Sequence, residues 1–142
     1  MDILLCDDDP AVAYFMQTRL EIEGWRVQLT TNGEECLAVL ESGERPDVLI
    51  LDQEMPGLKG TEVASRVRDD GFTNPIVLCS AHLGRQVNRE RKRLDLLPVS
   101  KIDMEAVVRL VSSADQDARL SRTGVTKATP PRPAQSLVEA SA

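Results

Sequence analysis

The sequence predicts an α/β protein, a doubly wound sandwich of helices around a parallel sheet, and two patterns lead to this fold class. Short apolar runs recur along the first 115 or so residues, and most of them are continuous rather than alternating. Continuous runs are typical of strands buried on both faces, as in a parallel sheet. Stretches with apolar residues at helical spacing lie between the runs, which indicates five strand–helix units.

Five apolar runs predict the strands. Residues 27–29 are few and alternate in polarity, which suits an edge strand. Residues 96–99 form the weakest run because they contain a proline, which cannot donate a hydrogen bond to a neighbouring strand and also favours an edge. The other three runs are continuous and end at polar side chains. They are residues 3–6, 48–51 and 76–79.

Helical spacing and end signals predict five helices between and after these strands. Proline favours the first turn of a helix, Asn and Asp favour the cap position before it, and glycine favours its end. The helices are expected from Pro10 to Gly24, from the cap Asn32 to Gly43, from Thr61 to the turn at 69–71, from Gly84 to Leu94, and from the cap Asp103 through Val111.

The composition changes near residue 115. Beyond it, three prolines and many serine, threonine and alanine residues leave few large apolar side chains. Such a segment cannot bury enough apolar surface to offset the entropy cost of ordering it. We therefore predict one folded domain over residues 1–115 and a flexible tail over residues 116–142.

The composition also excludes several classes of protein. The chain of 142 residues has 17 Lys and Arg against 23 Asp and Glu, and this net charge of −6 disfavours a general nucleic-acid binder. No apolar window approaches the roughly 18 residues that a membrane span needs. The first residues are too acidic for a signal peptide. Three widely spaced cysteines indicate reduced, buried thiols and a cytoplasmic protein. They are Cys6, Cys36 and Cys79.

Polar and charged side chains follow four of the predicted strands. Residues 7–9 are aspartates after the first strand, and Asp52 follows the third. Ser80 follows the fourth strand and Lys101 follows the fifth. Ligands of open α/β sheets bind outside the carboxyl ends of the strands, so we expect these side chains at one rim. Clustered carboxylates repel one another unless a divalent cation and a lysine neutralise them, and oxygen ligands suit Mg²⁺.

Such a set of side chains can carry out phosphoryl transfer. Asp52 is the expected nucleophile, the cation screens the phosphoryl oxygens, and Lys101 holds one of these oxygens. Ser80 supplies a hydroxyl to another. The product is an aspartyl phosphate, and catalysis consists of positioning and charge neutralisation.

Four segments form a more specific pattern than these single residues do. They are Cys6-Asp7-Asp8-Asp9-Pro10, Asn32-Gly33-Glu34-Glu35, the stretch from Pro46 to Gly57, and Gly60. The third contains Asp-x-x-Met-Pro-Gly, which is highly specific when an Asp-Asp pair lies upstream. Over about residues 2–114 the chain resembles bacterial response-regulator receiver domains, of the single-domain kind found in chemotaxis.

The resemblance implies a flavodoxin-like (βα)5 sandwich whose five-stranded parallel sheet has the order 2-1-3-4-5. It also implies Mg²⁺ as cofactor and a sensor histidine kinase or phosphotransfer protein as phosphodonor. Asp52 is then the phosphoacceptor and a metal ligand, while Ser80 and Lys101 bind the phosphoryl group and take part in switching. The other implied metal ligands are Asp7, Asp8 and the backbone carbonyl of Glu54.

Two positions depart from the family pattern. Pro98 stands three residues before the lysine, where the family has an aromatic side chain that swings inward on activation. Ile102 follows the lysine, where the family has a proline, usually in a cis bond. We therefore do not expect the usual aromatic relay, although the phosphorylation chemistry is unaffected.

An arginine-rich stretch over residues 85–93 has five positive charges and one negative, which leaves the rest of the chain at −10. The stretch is either a solvated helix face, a protein or nucleic-acid contact, or an anion site, although it is small for DNA. Arginine pairs with phosphate and with a guanine edge, so cyclic di-GMP is a candidate ligand. Some stand-alone receivers with arginine-rich stretches are similar and bind this messenger. The candidate residues are Arg85, Arg89, Arg91, Lys92, Arg93 and, in the predicted tail, Arg119, Arg122 and Arg132.

We expect a stand-alone response regulator that is not an enzyme and that signals through contacts with a downstream protein, without binding DNA or inserting into a membrane. The alternative is a cyclic di-GMP-binding effector that acts on a partner in flagellar motility or adhesion, with the receiver fold mainly as a scaffold.

Overall fold

The structure, a computed structural model, describes residues 1–101 and 103–123. Strands and helices alternate, as the apolar runs and helical patterns predict. In chain order the elements are β1 (Asp2–Cys6), α1 (Pro10–Ile22), β2 (Arg26–Thr30), α2 (Gly33–Glu41), β3 (Val48–Asp52), α3 (Gly60–Asp69), β4 (Ile76–Ser80), α4 (Arg85–Arg93), β5 (Leu96–Ser100) and α5 (Met104–Thr123).

The five strands form one parallel sheet in the order β2-β1-β3-β4-β5, so the expected strand order is confirmed. The two weak runs, β2 and β5, lie at the edges, where a proline in β5 and partial exposure in β2 are tolerated. All strands run the same way, so their carboxyl ends meet at one edge of the sheet.

The core has two apolar layers, one on each face of the sheet. Leu49 and Leu51 of β3 point to the layer that contains α2 and α3, whereas Val48 and Ile50 point to the layer that contains α1 and α5. Every residue of β3 and β4 is buried. This burial on both faces explains why these strands are continuous apolar runs rather than alternating ones.

Helix α4 packs less closely against the core than the other helices do. None of its nine residues is buried. It touches the core through the partly buried Val87 and through Leu94, the buried residue that follows it. Most helix stability in proteins comes from packing an apolar face, so α4 gains little from that source.

Helix α5 corrects the predicted boundary between domain and tail. It continues past residue 115 to Thr123. The Asp115 side chain is buried and accepts a hydrogen bond of 3.1 Å from Nε1 of Trp25, and Arg119 pairs with it at 3.4 Å. This contact explains why the helix extends beyond the apolar part of its sequence. Residues 124–142 of the predicted tail lie outside the described residues.

The side chain of Arg68, near the end of α3, connects two loops by donating hydrogen bonds to four backbone carbonyls. It donates hydrogen bonds of 2.8 Å to the carbonyls of both Phe72 and Asn74. It also donates to the carbonyls of Leu94 at 2.9 Å and Asp95 at 3.2 Å. Asp95 has a left-handed backbone, with φ of 55°, so Arg68 stabilises a turn that few residues adopt readily. Arg68 thus anchors the C-terminal end of α4.

We predict that Arg68→Met lowers the free energy of unfolding by about 2–4 kcal/mol, because four carbonyls lose a charged donor. Urea denaturation measures the change. Arg66→Met is the matched control, since Arg66 is exposed on the same helix, and it is expected to change stability by less than about 0.5 kcal/mol. Equal effects of the two substitutions would contradict an anchoring role for Arg68.

Candidate functional site

Three carboxylates converge where β1 and β3 end. Strands β1 and β3 are neighbours in the sheet, and one carboxylate oxygen from each of Asp7, Asp8 and Asp52 lies within 4.8 Å of the others. Asp7 and Asp52 are only 2% and 1% exposed, whereas Asp8 is exposed. The parallel sheet therefore brings together acids that are 45 residues apart in the chain.

Lys101, just after β5, supplies the positive charge of the cluster. Its ammonium lies 2.8 Å from Oδ2 of Asp52 and 3.8 Å from Oδ1 of Asp7. Burial opposes its charge, but the hydrogen bond to Asp52 and the surrounding carboxylates outweigh burial and raise the pKa of Lys101. The lysine is thus held in its charged form against the two buried acids.

Asp7 is the carboxylate whose pKa this arrangement raises. Burial, together with the charge of Asp52, raises the pKa of Asp7 to about 6 from the ordinary 3.8. The backbone N–H of Asp9, which donates to Oδ1 of Asp7 at 2.9 Å, and the charge of Lys101 partly oppose this rise. One ammonium does not neutralise three carboxylates, so the cluster favours a bound cation.

The third aspartate of the acidic run has a different task. Asp9 caps α1, and its Oδ1 accepts hydrogen bonds from the N–H groups of Ala11 at 3.0 Å and Val12 at 3.3 Å. The structure places Asp7 and Asp8 in the cluster, as the resemblance implies, and shows that the third aspartate is a helix cap, a role that the sequence reasoning did not assign.

The turn after β3 fits closely around Asp52. The backbone N–H of Glu54 donates to Oδ1 of Asp52 at 3.2 Å, and the Glu54 side chain points outward to Lys59, 3.6 Å away. A Cβ atom at Gly60 would lie 2.6 Å from the backbone oxygen of Asp52. Glycine is required there because α3 begins in contact with the end of β3.

Ser80 is the last residue of β4 and is buried beside the cluster. Its hydroxyl donates to the carbonyl of His82 at 2.7 Å and accepts from the N–H of His82 at 3.2 Å. The hydroxyl thus closes a short turn at the start of the loop that leads to α4.

The donor set fits a small divalent cation. Asp7, Asp8 and Asp52 offer only oxygen ligands, and Mg²⁺ binds through one or two carboxylates while it keeps several waters. When bound, Mg²⁺ supplies charge that neutralises phosphoryl oxygens.

The structure places the described members of the predicted anion-binding set in two separate layers. Helix α4 packs in the layer of α2 and α3, whereas α5 packs in the layer of α1. Arg119 and Arg122, predicted in a flexible tail, belong to α5, so the sheet separates them from the arginines of α4. Arg132 lies outside the described residues. Within α4, Arg91 donates to Asn88 at 2.5 Å and Arg93 pairs with Glu90 at 2.8 Å. The other α4 residues of the predicted site are Arg85, Arg89 and Lys92, all exposed.

Of the two departures from the family pattern, Pro98 lies in β5 opposite Leu78 and is partly buried. Ile102 lies outside the described residues. In the described part of the chain, no helix is both long and apolar enough to cross a membrane.

An apolar cleft beside Lys101 is a feature that the sequence reasoning missed. It has a volume of about 330 Å³. Along α1, Tyr14, Phe15 and Ile22 are 71%, 60% and 73% exposed. The sequence did contain evidence for exposed apolar residues on this helix. Apolar residues occur around the whole circumference of α1, which is more than one buried face requires. The cleft is lined by Ala11, Val12, Phe15, Met16, Lys101 and Met104.

Comparison with known proteins shows the family to which this fold and its acidic cluster belong. The model of the response regulator receiver domain matches residues 3–96, and the chain belongs to this family. Receiver domains bind Mg²⁺ in an acidic pocket and are phosphorylated by histidine kinases.

Among curated proteins, the response regulator MprA of Mycobacterium avium (strain 104) is 41% identical over 81 residues, which are 57% of this chain and 35% of MprA. The transcriptional regulatory protein TrcR of Mycobacterium tuberculosis is 35% identical over 79 residues, 56% of this chain and 30% of TrcR. The chain thus matches about a third of the length of these relatives.

Two solved structures are similar over most of the chain. The receiver domain of the Francisella response regulator 1452 has a TM-score of 0.76 at 22% identity, covering 82% of this chain and 98% of that one, and this likeness shows the fold. The response regulator TrrA of Thermotoga maritima, in complex with Mg²⁺ and BeF, has a TM-score of 0.71 at 30% identity, covering 80% and 97%.

The raised pKa of Asp7 predicts how stability depends on pH. Between its ordinary value of 3.8 and about 6, the folded state holds a proton that the unfolded state releases, so this contribution to stability is lost as pH rises. Asp7→Asn is always neutral at this position. With metal removed by a chelator, we expect it to raise the free energy of unfolding by about 2 kcal/mol near pH 8.

The gain is expected to vanish near pH 4, where Asp7 of the wild type is itself largely protonated. Urea denaturation at several pH values measures it. Asp69→Asn, at an exposed position, is the control and is expected to show no comparable gain. A constant difference between wild type and Asp7→Asn across this pH range would contradict the interpretation.

Proposed function

We propose that this chain is a response regulator that accepts a phosphoryl group on Asp52 and signals through contact with a downstream protein. The observation that carries the proposal is the buried Asp52 carboxylate, 2.8 Å from the Lys101 ammonium and within a cluster of carboxylates suited to Mg²⁺. We assign Asp7, Asp8, Asp52 and the backbone carbonyl of Glu54 as the metal ligands, and Ser80 and Lys101 as the residues that bind the phosphoryl group.

The proposed step is an exchange of one bond for another. A carboxylate oxygen of Asp52 attacks the phosphorus of a phosphohistidine, the P–N bond breaks, and the imidazole keeps the electron pair of that bond. Lys101 already touches Asp52 and can hold a phosphoryl oxygen without a large movement. The protein contributes positioning and charge neutralisation rather than covalent work of its own.

We further propose that Ser80 connects phosphorylation to α4. The hydroxyl of Ser80 now bonds the backbone of His82, and a phosphoryl oxygen on Asp52 would compete for that hydroxyl. The turn at His82 would then relax, and α4 begins three residues further on. This route needs no aromatic side chain, which accounts for the presence of Pro98 in β5.

We propose that the apolar cleft beside Lys101 receives the phosphodonor protein. A histidine kinase or phosphotransfer protein must bring its phosphohistidine to Asp52, and the cleft lies at that approach because Lys101 belongs to both. The exposed Phe15 lines the cleft and offers the kind of apolar contact that anchors protein interfaces.

Action in the cytoplasm and a stand-alone organisation stay predictions, and the three reduced, buried cysteines support the former. Cyclic di-GMP binding by the arginine-rich stretch, with its link to motility or adhesion, also stays a prediction.

The test of the phosphoacceptor is labelling by acetyl phosphate with Mg²⁺. We expect Asp52→Asn to abolish labelling and Asp8→Asn to lower its rate at least about tenfold through loss of a metal ligand. Asp9→Asn is the matched control, because asparagine caps a helix as well as aspartate does, and it should label within about twofold of wild type. Labelling of Asp52→Asn at the wild-type rate would refute the proposal.

The test of the donor-docking cleft compares two phosphodonors. We expect Phe15→Gln to slow phosphotransfer from a histidine kinase at least about tenfold through loss of an apolar contact, and to leave acetyl phosphate labelling unchanged. The kinase used is the one that phosphorylates the wild-type chain fastest in a phosphotransfer profile. Ile22→Gln is the control, since Ile22 is also exposed but lies at the C-terminal end of α1 and does not line the cleft. Similar slowing by both substitutions would argue against the cleft.

A further inference from the structure

Three sulfur-bearing side chains meet in the apolar layer that contains α2 and α3. They come from different parts of the chain, since Cys6 ends β1, Cys36 lies in α2, and Met55 lies in the loop between β3 and α3. The two cysteines are fully buried, and Met55 is only 2% exposed. We call these three residues the sulfur cluster.

The sulfur atoms of the cluster are close enough to share one ion. Sγ of Cys6 lies 3.5 Å from Sδ of Met55. The Cys36 thiol donates a hydrogen bond to Sγ of Cys6. With metal–sulfur bonds of about 2.3 Å, two ligands of a three-coordinate ion lie about 4 Å apart. The packing of the core thus gives the cluster a spacing close to that of a three-sulfur metal site.

The other sulfur atoms of the chain belong to the layer on the opposite face of the sheet. They are those of Met1, Met16, Cys79 and Met104. Cys79 is buried to the same degree as the sulfur cluster, at 2% exposure, but it lies in that other layer. Burial of a thiol is therefore not sufficient to form the cluster, which depends on how α2 packs against the ends of β1 and β3.

We propose that the sulfur cluster is a binding site for Cu⁺, a soft monovalent cation. Cys6 and Cys36 supply the thiol ligands, and Met55 supplies a thioether. Thiolate and thioether sulfurs select Cu⁺, whereas the neighbouring carboxylates suit hard cations such as Mg²⁺. The two sites therefore differ in the class of ion that each one takes.

Cu⁺ also fits the charge of this apolar layer. When the ion binds, an S–Cu bond replaces the S–H bond of one thiol, and the proton passes to solvent. The net charge of the site is then unchanged, which matters because an apolar surrounding disfavours an unpaired charge. A divalent ion must displace two protons for the same result. Zn²⁺ in addition prefers four ligands from cysteine, histidine or carboxylate, and the single histidine of the chain, His82, is exposed.

The sulfur cluster lies close to the surface at the N-terminal end of α2. The Cys6 thiol donates a hydrogen bond of 3.2 Å to the carbonyl of Asn32, the partly exposed cap of α2. Helix ends open locally at low cost, so opening of this first turn gives an ion access to the sulfurs. Cys6 directly precedes Asp7, so a bound Cu⁺ adjoins the carboxylate cluster without using its oxygens.

The test measures the affinity of the reduced full chain for Cu⁺ by competition with the chromogenic chelator bathocuproine disulfonate, under nitrogen and with excess Mg²⁺. We expect one Cu⁺ per chain. Cys6→Ala and Cys36→Ala should each lower the affinity at least about 100-fold, because a direct ligand is lost. Met55→Leu nearly preserves volume and stability, and it should lower the affinity at least about tenfold through loss of the thioether.

Cys79→Ala is the matched control, because it removes a buried thiol from the opposite layer. It should bind Cu⁺ within about twofold of wild type. Equal losses of affinity in Cys79→Ala and Cys6→Ala would overturn the proposal. Wild-type affinity in Met55→Leu, or no binding of Cu⁺ by the wild-type chain, would do so as well. Circular dichroism checks that each variant is folded.

Thermal unfolding distinguishes a site of the folded protein from thiols of the unfolded chain. An ion that binds the folded state stabilises it by mass action, so we expect Cu⁺ to raise the Tm of wild type and to raise that of Cys36→Ala much less. A fall in the Tm of wild type would mean that the unfolded chain binds Cu⁺ more tightly. That outcome would also refute the site.

Discussion

The contact between Lys101 and Asp52 is the interaction on which the site depends. Two neighbouring strands deliver Asp7 and Asp52 to the same buried place, and carboxylates so placed repel one another. The ammonium at 2.8 Å from Asp52 offsets part of that repulsion and leaves the rest at Asp7, whose pKa rises to about 6. The protein therefore keeps a locally unfavourable charge arrangement that a bound cation would relieve. The fold thus accepts an electrostatic cost at the proposed phosphoacceptor site.

Two parts of the fold differ in how closely they are packed: strands β3 and β4 are fully buried, whereas helix α4 has no buried residue. Strands β3 and β4 are buried along their whole length, so Asp52 and Ser80 at their ends are held in fixed positions. Helix α4 has no buried residue and is held by its neighbouring segments, the turn closed by Ser80 at one end and the loop bound by Arg68 at the other. A change at the rigidly held site can therefore be followed by a displacement of α4, because few packing contacts hold that helix in place. The same lack of buried residues leaves most of the cations of α4 exposed.

Much of the fold could be predicted because its signals are local. Strands buried on both faces appear as unbroken apolar runs, and caps such as Asn32 mark helix starts in the sequence. The end of α5 could not be predicted in this way, because residues beyond 115 have a polar composition and the helix there is held by Asp115 and Trp25, 90 positions apart. The apolar cleft beside α1 was missed for a different reason: helical spacing identifies a helix, but it does not show that α1 has more apolar residues than one buried face can use.

Periodicity and short motifs were enough to predict the order of strands and helices along the chain, the family, and the set of polar residues that end the strands. The tertiary structure was needed to assign Asp9 as the cap of α1, because that role depends on where the chain turns after β1. It also decided that the arginines of α4 and α5 lie on opposite faces of the sheet. Charge and composition are visible along a chain, but the distance between two side chains is set by how the layers pack.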